Sequence, residues 1–188
     1  MEKSSAKTVL FEKAMELFRR EGYKNVTIRQ ICKESGVTRN AFYYYFESKE
    51  AILCSYFENI PTFTQALFEE LVAIPNDWEK LWYLIEAHMK LTQSEGISIC
   101  RAFIKANMEG NGDLLSKYYV SETVTVPLVR SCQNSGLIRN MTEPNRLIFI
   151  ATRLLLGVLV TWCSKDGNFD LIAVSKEAFF SLMEPSRD

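Results

Sequence analysis

The side chains with most to offer chemically stand close together. Arg39, Asn40, Tyr43 and Tyr44 all fall inside the run SGVTRNAFYYYF. A guanidinium presents a planar fork of donors that fits the O6 and N7 edge of guanine, and an Asn amide pairs with adenine or donates to a phosphate. Tyrosine hydroxyls reach phosphate oxygens, and their rings press on thymine methyls. Thr27 and Thr38 each precede a predicted helix, where free backbone amides and the helix dipole attract phosphate. Arg29 and Lys49 add positive charge beside them. These types at this spacing suit one ligand, a polyanion whose base edges can be read: double-stranded DNA.

Catalytic chemistry has little to work with. One histidine, His88, leaves small scope for a His-dependent triad, and there is no glycine-rich phosphate loop. The cysteines, Cys32, Cys54, Cys100, Cys132 and Cys163, are scattered, odd in number and never in a C-x-x-C pair. No metal centre, no cofactor and no enzyme activity are therefore expected. Those thiols, with the polar start MEKSSAKTVL, point to a reducing cytoplasm. The net charge of −1 excludes a protein basic throughout. Its distribution is uneven: ten Lys/Arg against seven Asp/Glu in residues 1–50, and twelve against sixteen in 51–188. A mildly basic head on an acidic body suggests two jobs in one chain.

The elements that must position these residues read as helices throughout, so the expected fold class is all-α. Residues 5–21 carry Leu10, Phe11, Ala14, Met15, Leu17 and Phe18 at helical spacing, closed by Gly22. TIRQ, residues 27–30, reads as a capping box in which Thr27 caps and Gln30 reaches back. Gly36 ends that second helix, Thr38 caps a third over 39–45, and Ser48 caps a fourth from Lys49. On the third, Phe42 and Phe46 share a face, Tyr45 lies about 60° to one side, Tyr43 about 100° to the other, and Tyr44 points away with Asn40. Cys32 fits where two helices cross closely and only a small side chain is accommodated. Helix, four-residue turn and short helix make a helix-turn-helix. Beyond it, helices are predicted over 49–72 with a break near Pro61, then 77–94, 97–109, 113–134 with a bend at Pro127, 143–164 and 170–183.

The run FEKAMELFRREGYKNVTIRQICKESGVTRNAFYYYFESKEAIL, residues 11–53, resembles the DNA-binding head of the tetracycline-repressor (TetR) family. The marks are the LF…GY…TI entry, the IC…SGV turn, the FYYYF recognition helix and the SKEAIL start of the linking helix. The resemblance implies a three-helix DNA-binding head, residues 1–48, and a larger helical ligand-binding and dimerisation domain, residues 49–188. It assigns phosphate contacts to Thr27, Tyr43 and Lys49, and base reading to Arg39 and Asn40. Cys32 stands where alanine is usual, and Ala41 where Gly, Ser or Thr is frequent. It further implies a homodimer joined through the last two helices, here expected through Ile148, Leu155, Leu159, Trp162, Leu171, Val174, Phe179 and Leu182.

A regulatory pocket is expected among the aromatics of the body. The candidates are Phe57, Phe63, Trp82, Ile85, His88, Met89, Phe103, Tyr119 and Arg153, the last expected inside and needing an anionic partner. The effector would be small and largely hydrophobic or aromatic, releasing a repressor from a palindromic operator. The alternative is a helix-turn-helix regulator without a small-molecule effector, controlled by a protein partner or by abundance. Residues 147–163 are the most apolar stretch, but they fall short of about 20 residues and hold Arg153, so a buried helix is expected there and no membrane partner.

Overall fold

The computed structural model describes residues 2–59, 64–109 and 122–186. Every regular element among them is an α-helix. An isolated antiparallel bridge joins Ile138 to Pro185. The helices are α1 (Glu2–Glu21), α2 (Ile28–Ser35), α3 (Arg39–Tyr45), α4 (Lys49–Asn59), α5 (Gln65–Ala73), α6 (Asp77–Glu95), α7 (Ile97–Glu109), α8 (Glu122–Asn134), α9 (Pro144–Ser164) and α10 (Leu171–Met183).

Local chemistry sets most boundaries. Threonine hydroxyls accept the first free amides of α2, α3 and α5, at Thr27, Thr38 and Thr64. Ser48 does the same for α4, accepting from Ala51 N at 3.1 Å, and Asp170 for α10. Gly36 closes α2 at φ 67°, a conformation costly for any side chain with a Cβ. The predicted capping box is only half formed. Gln30 N donates to the Thr27 hydroxyl, but the Gln30 side chain donates to Glu21 instead of turning back. Donation of the Gln30 Nε2 group to the Glu21 carboxylate orients the side chain toward α1, away from the Thr27 N–H that a capping box would have its oxygen accept. The β-branched VTV of residues 124–126 is helical, and Pro127 lies inside α8. The predicted break near Pro61 and the helix start near Asp113 lie outside the described residues, as do Phe63 and Tyr119.

The chain divides into two units, one of Met1–Ile60 with Glu95–Tyr118, the other of Pro61–Ser94 with Tyr119–Asp188. In the first, α1 packs on α2 and α4, α2 on α3, and α4 on α7. Leu10, Leu17, Phe18, Ile31, Phe42 and Leu53 form its centre, each at most 1 % exposed. In the second, α9 packs on α8 and α10, around Leu81, Leu84, Met89, Leu147, Leu155 and Phe179. Trp78 stacks on Phe179 at 5.9 Å and meets Phe180 edge-on. The five cysteines are free thiols, all buried except the half-buried Cys54.

Helix α9 is buried on one side, not most. Its length and apolarity alone would let it cross a membrane. Ile148, Leu155, Leu159 and Trp162 turn into the core of their own chain, as do Leu171 and Phe179 of α10. These six therefore back the expected pairing face without forming it. The side left open carries Phe149, Ile150 and Leu154 at 50, 38 and 37 % exposure, with Val174 and Leu182 of α10 half-buried. Arg153, expected inside, lies at the surface. It is exposed on that open side, donates to Phe149 O at 3.0 Å and lies over the Phe149 ring. Next to an open face, its charge stays in water while its stem covers apolar surface.

Candidate nucleic-acid interface

The recognition surface is built on α3. With seven residues, α3 makes barely two turns, too short to persist by propensity alone. Tertiary contacts hold it. Phe42 is fully buried beneath it, Phe46 is 5 % exposed at its end, and the two rings lie 6.4 Å apart. The Thr38 hydroxyl accepts from Ala41 N at 3.1 Å and fixes the first turn. Val37 N donates to Cys32 O at 3.0 Å, which sets the angle at which α3 leaves α2. Cys32 is 6 % exposed at that crossing, and burial raises its thiol pKa.

With its inner side locked, α3 turns the other residues to water. Arg39 and Asn40 are exposed, as are Thr27, Arg29 and Thr38. Tyr43 is 48 % exposed and Tyr44 68 %. Both tyrosine rings are braced from behind. Tyr43 meets Phe42 edge-on at 5.4 Å and Tyr44 meets Tyr45 edge-on at 5.0 Å. Such pairs favour defined ring directions, so the two hydroxyls are presented with less side-chain entropy left to lose on contact. Tyr45, half-buried, divides the two sides, as its angle along the helix requires.

Lys49 behaves differently from an open phosphate contact. Its ammonium donates inward, to Val26 O at 2.7 Å and Tyr23 O at 3.0 Å, and lies 4.4 Å from the centre of the Tyr23 ring. Partial burial lowers its pKa. An ammonium has three donors, so one N–H remains beyond these two bonds. Lys49 thus pins the α1–α2 turn, which carries Thr27 at its end. Around the same turn the Tyr23 hydroxyl donates to Glu50 at 2.5 Å, and Tyr23 N donates to the Ser98 hydroxyl at 3.1 Å. Sequence reasoning passed over Tyr23, Glu50 and Ser98. The GY and SKEAIL marks contain Tyr23 and Glu50 without giving either a role.

The expected pocket residues fall into separate groups. The Phe57 and Phe103 rings meet between α4 and α7 with centres 3.9 Å apart and planes tilted by 36°. Ile85, His88 and Met89 are buried along one side of α6, and Trp82 packs on Phe179 and Phe180. Burial pushes the His88 pKa down to about 4, so its ring is neutral in the core near neutral pH.

A short helix fixed from behind, turned from its neighbour by a left-handed glycine and armed on its outer side, has the arrangement that enters a major groove. Residues 10–55 match the family described as bacterial regulatory proteins, tetR family. The fatty acid metabolism regulator protein of Bacillus subtilis is 23 % identical over 179 residues, covering 93 % of this chain and 92 % of its own. Among solved structures, the Thermus thermophilus FadR, a TetR-family transcriptional repressor bound to lauroyl-CoA, superposes with a TM-score of 0.74 at 20 % identity, over 97 % of this chain and 96 % of that one. The B. subtilis FadR bound to stearoyl-CoA superposes with a TM-score of 0.65 at 21 % identity, over 96 % and 99 %.

Proposed function

We propose that this chain, whose residues 10–55 match the tetR-family model of bacterial regulatory proteins, is a DNA-binding repressor released from a palindromic operator by a fatty acyl thioester of coenzyme A. Residues 1–48 bind DNA, and 49–188 serve regulation and pairing. The observation that carries the DNA half is the exposed outer side of α3, with Tyr43 and Tyr44 open to water above a fully buried Phe42. Arg39 and Asn40 read base edges there. Thr27, Arg29, Thr38, Tyr43, Tyr44 and the remaining N–H of Lys49 hold phosphates.

Two copies pair through the open side of α9 and the half-buried Val174 and Leu182 of α10. That contact sets two heads about 34–36 Å apart, the spacing of successive major grooves. The effector class is supported by similarity along nearly the whole chain to the B. subtilis regulator and to two acyl-CoA-bound structures. Release requires the effector to bind more tightly to a head spacing that misfits the operator. Each tenfold loss of operator affinity needs a preference of about 1.4 kcal/mol.

The test starts by selecting bound fragments from random duplexes, then follows operator binding by fluorescence anisotropy. Lauroyl-CoA and stearoyl-CoA should lower operator affinity at least tenfold. Saturating thioesters of every chain length leaving that affinity unchanged would remove the effector reading. Failure to enrich any sequence would remove the operator.

A further inference from the structure

The α1–α2 turn, the start of α4 and one side of α7 enclose a cleft of about 280 Å3, near the lower end for small-molecule sites. Helix α7 has two faces. Ile99, Cys100, Phe103, Ile104 and Asn107 are buried on one. Arg101 and Lys105, one turn apart, line the cleft together with Ala102 and Ala106, again one turn apart. The two alanines leave a smooth apolar strip beside the Tyr23 side chain. Lys24 brings a third cation from the turn opposite. Two carboxylates share the wall. Glu50 accepts the Tyr23 hydroxyl, and Glu109 lies 3.6 Å from Lys105 on the exposed rim, where such pairs are weak.

Three cations around an apolar strip suit a ligand that is both multiply anionic and flat. A fatty carboxylate alone would engage one cation and leave the strip uncovered. We propose that this cleft holds the phosphorylated nucleotide end of the effector. Its phosphate oxygens engage Lys24, Arg101 and Lys105, and its base lies over Ala102 and Ala106. The assignment rests on the acyl-CoA reading above and adds the residues that would select it. It also places the charged end where it acts on the head, because a phosphate shared by Lys24 and α7 restrains the turn that leads into α2.

Isothermal titration of the full chain with lauroyl-CoA, free coenzyme A and laurate tests this, comparing the wild type with Lys105→Ala and Arg101→Gln. Lys105 is exposed and alanine suits a helix, so that variant should fold normally; an unchanged melting curve checks it. Each variant should bind lauroyl-CoA and coenzyme A about tenfold to a hundredfold more weakly, the loss expected for one charge-assisted bond. Laurate binding and operator affinity without ligand should stay within about twofold, less than one such bond. Unchanged lauroyl-CoA affinity in both variants would overturn the cleft while leaving the effector class standing. Weaker operator binding by ligand-free Lys105→Ala would assign the cleft to DNA and overturn it too. Coenzyme A binding as tightly as lauroyl-CoA, lost in the variants yet without operator release, would support the cleft and sink the acyl effector. A wild type that binds neither thioester nor coenzyme A would overturn both.

Discussion

Replacing Phe149 by alanine tests which side of α9 meets a second copy. Phe149 is 50 % exposed. A phenylalanine side chain covers about 200 Å2, so about 100 Å2 stands to be covered by a partner. At about 25 cal/mol per Å2 that area contributes about 2.5 kcal/mol. A twofold interface uses the same patch on both copies, which raises the loss to about 5 kcal/mol per dimer. This is an upper bound, because alanine keeps its Cβ and the Arg153 guanidinium already covers part of the ring. The dimer dissociation constant should therefore rise by up to about three and a half orders of magnitude. The folded protomer should lose little, since the ring lies outside the core. Leu155→Ala is the matched contrast. That side chain is fully buried, so its truncation should cost about 2–5 kcal/mol of folding stability. Sedimentation equilibrium over a range of concentrations reads the first quantity and urea unfolding the second. A Phe149→Ala dimer as tight as the wild type would refute the assignment of this face. So would a Leu155→Ala protein that dissociates while remaining fully stable.

Arg39→Ala should cost about 1–3 kcal/mol on the selected operator and relax preference at one base pair; equal losses on operator and random DNA would end its base-reading role. Lys49→Ala removes the donor to the Tyr23 and Val26 carbonyls, so stability should fall by about 1–3 kcal/mol in thermal unfolding. If its remaining N–H meets a phosphate, the salt slope of DNA binding should shrink by about one as well; an unaltered slope confines Lys49 to holding the turn. For His88 the folded pKa is about 4 against a usual 6.5. The unfolded chain takes up the proton first, so this contribution to stability is full above about pH 6.5 and is lost as pH falls towards about 4. Urea midpoints of His88→Gln should drop less than those of the wild type across that window, and parallel curves would contradict the burial argument.

Much of the head could be read from the sequence because its signals are local. A threonine three residues before the amide it accepts, a glycine needing positive φ, and two phenylalanines four apart each act over a short stretch of chain. The open side of α9 was hidden for the opposite reason. LIFIATRLLLGVLVTWC is apolar around most of its circumference, so periodicity cannot separate the side facing its own core from the side left open. Packing of α8 and α10 decides that, and it turned Ile148, Leu155 and Leu159 inward. Arg153 misled because one charge in an apolar run looks buried when the run itself is taken as buried. The cleft was illegible because Lys24, Glu50 and Arg101 are distant in sequence. Its one local trace was the Arg-Ala, Lys-Ala spacing on α7.

The distribution of thiols gives the chain built-in reporters. Cys32 and Cys100 are buried in one packed unit, Cys132 and Cys163 in the other, and Cys54 is half-buried. A small alkylating reagent can modify the four buried sulfurs only during transient openings, whose frequency follows local stability. Peptide mass spectrometry would then time the loosening of each unit separately, with no label introduced. Repeating the measurement with operator, and again with lauroyl-CoA, would reveal which unit each ligand tightens.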